Sequence, residues 1–281
     1  MKGLLLTLVT VIAGIVVSVA YMALAGGNVS PPAPMLAQCT IVSVVITFWA
    51  SIMWGGWPFR VWFKDPVTAG IVQLVACYAV NYTFFRIFFN YDFMKDAPVY
   101  VASLDPHGLF NGWSALVFYV TALSIMFLML HFELWPLTKS NALMKQPVLG
   151  LIWTAVALAA AAVLFEFGTY VLKMDVVAFL ITVPIPFIFG TIVVLNMLEG
   201  VLFRNRKQPE KGILSAAAAG MAGTGLSWIF PSFSVIVTGS LHSGPPSYDF
   251  EIWLASALLA VTFPFLIIVA AFFNFWPLRR D

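Results

Sequence analysis

Residues 148–172 read VLGLIWTAVALAAAAVLFEFGTYVL, with one charge, Glu166, in the whole stretch. A helix needs about 20 mostly apolar residues to cross about 30 Å of hydrocarbon. A helix on the surface of a soluble domain would show a polar face at a 3.6-residue period, and none is present here. Working outward, comparable runs fall at about 4–24, 37–56, 67–90, 113–135, 177–203, 212–234 and 252–275. Membrane-spanning strands would be about ten residues long with alternating polarity. These runs are continuous, and a helix pairs every backbone group within its own segment. The expectation is an all-α polytopic membrane protein with eight transmembrane helices. The narrowest division separates the fifth and sixth runs, where Lys173 and Asp175 intervene.

Composition agrees. The chain has 281 residues, 62% hydrophobic and 9% charged, against about 25% charged in soluble domains. That excludes a soluble globular domain, a disordered chain, a disulfide-rich secreted module and a nucleic-acid binder. Cys39 and Cys77 lie in apolar runs and carry no redox information. Met1-Lys2, an apolar stretch and Ala23-Leu24-Ala25 also resemble a cleavable signal peptide. The stretch exceeds the usual 7–15 apolar residues, so the first helix is expected to be retained.

Basic residues near helix ends face the cytoplasm. Assigning alternate loops to two sides collects Lys2, Arg60, Lys64, Lys139, Lys145, Arg204, Arg206, Lys207, Lys211, Arg279 and Arg280 on one side. The other side holds Arg86, Lys95 and Lys173. Both termini are therefore expected in the cytoplasm. A multi-pass chain without a recognised targeting signal is expected in the cell membrane, specifically a bacterial inner membrane.

Trp-Pro occurs three times, at Trp57-Pro58, Trp135-Pro136 and Trp276-Pro277, where composition predicts less than one. Indole prefers the headgroup level and proline ends a helix. A second signature opens helices three, five and seven: Lys64-Asp65-Pro66 to Gly70, Lys145-Gln146-Pro147 to Gly150, and Lys207-Gln208-Pro209 to Gly212. The loop 99–108 also resembles 237–244, and each is followed by a tryptophan, Trp113 or Trp253. These matches suggest an internal repeat. Residues 1–140 and 145–281 would be two four-helix repeats within one membrane domain, or at finer grain four two-helix hairpins. An even number of helices per half implies a pseudo-two-fold axis along the membrane normal.

Ser215, Ala219, Gly223 and Ser227 recur at every fourth position of helix seven. Small residues on one face let helix backbones approach, so internal bundle packing is expected there. Pro184 and Pro186, with Gly190 beyond, are helix-break candidates in helix six. Broken helices recur at transporter binding sites and also as inert kinks.

No charge falls at mid-span, which argues against a proton pump with a midplane carboxylate. The midplane polar candidates are Asn81, Thr121, Ser124, Thr191, Thr224 and Thr262. Arg86 and Glu166 lie toward the outer ends of helices three and five, and Glu199 toward the inner end of helix six. His131 and Glu133 lie toward the inner end of helix four and point in different directions. Glu133 is expected to meet a cation such as Lys139. The outer loops are more distinctive, with Asp92, Asp96, Asp105, His107 and Asn111 in one and His242, Asp249 and Glu251 in the other. Imidazole with carboxylate is a metal donor set, so Asp105, His107 and His242 are metal candidates, and two imidazoles could ligate haem iron. If the two loops are equivalent, these residues would converge on one outer polar vestibule. Neither a phosphate-binding loop, a dinucleotide fingerprint nor a serine-nucleophile motif is present.

Three functions stay open. The first is a carrier or channel for a small neutral or weakly polar solute, with Arg86 and Glu166 joining the outer candidates. The second is a metal- or haem-dependent membrane oxidoreductase with its site at the outer loops. The third is a subunit of a larger membrane complex. The expected partners are the lipid bilayer, a small-molecule solute, and a second copy of the chain or another membrane subunit.

Overall fold

The computed structural model describes residues 2–27, 34–97, 100–198, 201–244 and 248–274. Trp276-Pro277, Arg279, Arg280, Glu199 and Val99 lie outside the described residues. Eight helices among the described residues are long and apolar enough to cross a membrane. They are α1 (Lys2–Leu24), α2 (Met35–Met53), α3 (Pro66–Phe88), α4 (Gly112–His131), α5 (Val148–Val171), α6 (Val176–Met197), α7 (Glu210–Val237) and α8 (Asp249–Phe272). Each of the eight apolar runs has become one helix.

The starts are chemically marked. Asp65 caps α3 by accepting from the Thr68 amide and hydroxyl, with Pro66 at the first helical position, where a missing N–H costs nothing. The same two bonds hold the Asp65 carboxyl below its ordinary range. Asp175 caps α6 by accepting from the Val177 and Ala178 amides. α6 is interrupted once, at Val183, whose φ and ψ are −113° and −73°. Pro184 and Pro186 follow the interruption, whereas Gly190 lies inside the continuous segment Pro184–Ile192.

The chain forms two compact units, one of Gly14–Leu123 and Ser140–Phe165 and the other of Met1–Ala13, Ser124–Lys139 and Glu166–Asp281. In the first unit α2 packs on α3. Between α3 and α4, two short strands, β1 (Phe89–Asn90) and β2 (Phe110–Asn111), pair in parallel with Phe89 opposite Phe110. The buried rings of Phe85, Phe89 and Tyr91 cluster beneath them, and Phe89 stacks on Tyr119 at 6.2 Å. Gly108 must be glycine, because a Cβ there would lie 2.6 Å from both the N and O of Phe89.

In the second unit α6 lies directly on α7. Ser215, Ala219 and Gly223 are buried on the α7 face toward α6, so the stripe serves internal packing. A Cβ at Gly190 would sit 1.8 Å from the Ala219 carbonyl oxygen, and one at Gly223 would sit 1.8 Å from the Pro186 oxygen. Gly190 therefore acts as a point of backbone contact. Such approach is how membrane helices associate when hydrocarbon offers no hydrophobic drive.

One corner occurs in both units. In the first, the Gln146 side chain donates to the Met53 carbonyl (2.8 Å) and accepts from the Gly150 amide (3.1 Å). In the second, Gln208 donates to the His131 carbonyl (3.1 Å) and accepts from the Gly212 amide (3.1 Å). A ring rests on each glycine, with Trp54 2.7 Å from a Cβ at Gly150 and Phe132 2.5 Å from one at Gly212. Each ring precedes its Trp-Pro by the same spacing. The glutamine thus ties the end of one helix to the start of another and satisfies an amide that has no helical partner.

Candidate functional site

Four polar centres stand out against the apolar helices. Within the first unit, Asn81 on α3 is fully buried. Its Nδ2 donates to the Tyr21 hydroxyl (2.7 Å) on α1 and to the Cys39 carbonyl (3.0 Å) on α2. The Cys39 Sγ lies 3.5 Å from the same nitrogen. Exchanging the amide oxygen and nitrogen would set two oxygens against each other at Cys39, so the orientation is fixed by chemistry. Asn81 Oδ1 is buried and has no hydrogen-bond partner among the described residues.

Within the second unit, His131 ends α4 and is 2% exposed. Its Nδ1 lies 2.7 Å from the Ser215 hydroxyl on α7, and its Nε2 lies 3.0 Å from the Thr191 hydroxyl on α6. A neutral imidazole offers one donor and one acceptor, and each hydroxyl takes either role. The trio therefore links three helices without a charge. The sequence singles out all three residues separately, but nothing in a linear pattern says which helices are neighbours. Among the other midplane candidates, Thr262 returns its hydroxyl to its own helix, at Ala257.

Glu133 does not meet Lys139. It forms an ion pair with Lys211 at the start of α7, which holds the Glu133 carboxyl below its ordinary range. Lys139 instead lies over the Trp135 ring, 5.4 Å from its centre, as a cation–π contact. Gln208 binds the end of α4 and so brings Lys211 to Glu133.

The third centre is the loop after β1 in the first unit. Asp105 Oδ1 accepts from the Tyr91 amide (3.2 Å) and the His107 amide (2.9 Å), and its Oδ2 accepts from the Tyr100 hydroxyl (2.9 Å). The His107 Nδ1 is 3.4 Å from Asp92 and 3.6 Å from Asp105. One ligand atom each from Asp92, Asp105 and His107 lies within 4.8 Å of the others. Asp92 adds a donor beyond the metal candidates read from sequence, because only the folded loop brings it beside Asp105. The Lys95 ammonium sits 2.7 Å from Asp92. It lowers the Asp92 carboxyl and is itself raised by it. Lys95 thus already supplies positive charge at this corner, and Asp105 acts first as the loop's hydrogen-bond hub. Burial pushes the Tyr91 hydroxyl well above its usual range.

The fourth centre opens α8 in the second unit. Glu251 is 5% exposed, while His242 and Asp249 are exposed. Glu251 Oε1 accepts from the Ser243 hydroxyl (2.5 Å) and the Gly244 amide (3.1 Å). The Tyr248 hydroxyl donates to Asp175 (2.8 Å), and burial together with that bond pushes it up to about 12. His107 belongs to the first unit and His242 to the second. Arg86 and Glu166 are exposed on α3 and α5.

The fold and these centres define a multi-pass helical membrane protein whose buried polar groups are mostly uncharged. Comparison with protein-family models, with curated proteins and with solved structures finds no match.

Proposed function

We propose that this protein is a membrane carrier or channel for a small neutral or weakly polar solute, and that a donor group of the solute docks on Asn81 Oδ1. The observation that carries this reading is the oxygen of a fully buried asparagine inside α3, which has no hydrogen-bond partner among the described residues. An unmet polar group in hydrocarbon costs several kcal/mol. An N–H or O–H passing on a solute would meet that need. The uncharged trio His131, Thr191 and Ser215 supports a neutral cargo, as does the interruption of α6 at Val183. The test is stopped-flow light scattering of vesicles carrying the protein, challenged with urea, glycerol, formamide and acetamide. At least one should enter faster than into protein-free vesicles. Equal rates for the whole panel would sink the proposal.

Both termini are cytoplasmic on this reading, which the eleven-to-three split of basic residues supports. Single cysteines placed near Lys95 and Ser243 should react with an impermeant thiol reagent from outside, and one near Lys207 only from inside. Labelling of all three from one face would overturn the orientation. The Gln146 and Gln208 corners support a repeat at the level of helix pairs.

A metal-dependent reaction at the outer face is the second reading, favoured by the grouping of Asp92, Asp105 and His107. Elemental analysis of purified protein decides it. Stoichiometric metal that is lost on Asp105→Ala supports it, and metal-free protein retires it.

A further inference from the structure

Glu251 is a carboxylate out of place. It lies in the first turn of α8 and is 5% exposed. Carboxylates are almost never buried unless paired. Oε1 is met by the Ser243 hydroxyl and the Gly244 amide, but Oε2 is buried and has no hydrogen-bond partner among the described residues. No lysine or arginine forms an ion pair with Glu251 among the described residues. The titratable groups of the surrounding elements are Asp249 on α8 itself, Asp175 at the head of α6, and Tyr248 and His242 in the preceding loop. α7 brings no charged group after Lys211. Lys173 precedes Asp175 by two residues, and it forms no ion pair with Glu251 among the described residues.

The structure assigns, we infer, a monovalent-cation site to Glu251 Oε2, a site for Na⁺, K⁺ or ammonium at the head of α8. A cation there would balance a buried carboxylate and give Oε2 the partner it lacks among the described residues. A single charge fits better than a double one. Calcium sites gather six to eight oxygens with several carboxylates, and here Asp175 is already committed. Its Oδ1 takes two backbone amides and its Oδ2 takes the Tyr248 hydroxyl. Asp249 is exposed. One carboxylate oxygen remains. The site does not depend on the solute reading, because it concerns binding alone.

The experiment is thermal unfolding of the full chain in detergent at fixed pH and ionic strength. NaCl, KCl or NH₄Cl replaces choline chloride stepwise, from zero to 200 mM. At least one of the three cations should raise the melting temperature along a saturating curve. Glu251→Gln should abolish that response, and Glu251→Asp should shift its midpoint at least tenfold to higher concentration. Asp249→Asn, at an exposed neighbour, should leave the midpoint within about twofold. A flat response to all three cations in the wild-type chain overturns the assignment, even if Glu251→Gln fails to fold. So does a response that survives unchanged in Glu251→Gln.

Discussion

Gly190→Ala is expected to abolish most of the folded protein, and Gly223→Ala to do the same. At each site a Cβ would lie 1.8 Å from a backbone carbonyl oxygen of the facing helix, Ala219 or Pro186. Backbone cannot step aside as a side chain can. Overpacking a core typically costs about 1–3 kcal/mol, and a backbone collision falls at or beyond the top of that range. The helices must separate, and Ser215 and Thr191 would then move off the two sides of His131. At Gly220 and Gly225, on the same helix, an added methyl would meet nothing within 4 Å. Alanine there should be neutral or stabilising by up to about 1 kcal/mol, through helix propensity alone. Size-exclusion profiles and thermal unfolding in detergent check the contrast. Wild-type melting in Gly190→Ala would mean that α6 and α7 do not pack backbone to backbone.

Asn81→Leu should reduce solute flux at least tenfold, about 1.4 kcal/mol, while most of the chain still folds. Leucine has similar bulk and no acceptor. The substitution forfeits the bonds to Tyr21 and the Cys39 carbonyl, each worth about 0.6–2 kcal/mol between membrane helices. It also removes an oxygen that has no partner among the described residues, so the net loss of stability is smaller than the bonds suggest. Thr262→Val is the control. Thr262 bonds only its own helix, and its loss should leave flux unchanged. Flux in Asn81→Leu equal to wild type would remove Asn81 from the path.

The eight spans are legible in the sequence because hydrocarbon imposes one requirement, an unbroken apolar run, and each run here is bounded by Pro, Asp or a basic cluster. The Ser215–Ala219–Gly223 stripe is legible as a packing face by its period. Its partner is not, because Pro186 and Gly190 look from sequence like helix breakers, and only α7 across from them makes Gly190 a contact. His131 shows the same limit. Its two hydroxyl partners lie 60 and 84 residues away, and periodicity within a helix carries no information about neighbours. Proximity along the chain pairs Glu133 with Lys139, whereas the Gln208 corner delivers Lys211. The apolar pattern reports how each helix meets lipid, and the polar centres report how helices meet each other.

On the carrier reading, a solute reaches Asn81 in the membrane interior. Cys39 tests it directly, because its Sγ is 3.5 Å from Asn81 Nδ2; Cys77, the other buried thiol, lies one turn from Asn81 on α3. The measurement is the rate at which methyl methanethiosulfonate modifies each cysteine in vesicles, read by peptide mass spectrometry with and without the solute that crosses fastest. Cys39 is expected to react, and the solute to slow it several-fold. A Cys39 that stays unreactive in the folded protein, or reacts at the same rate whatever the solute concentration, would contradict it.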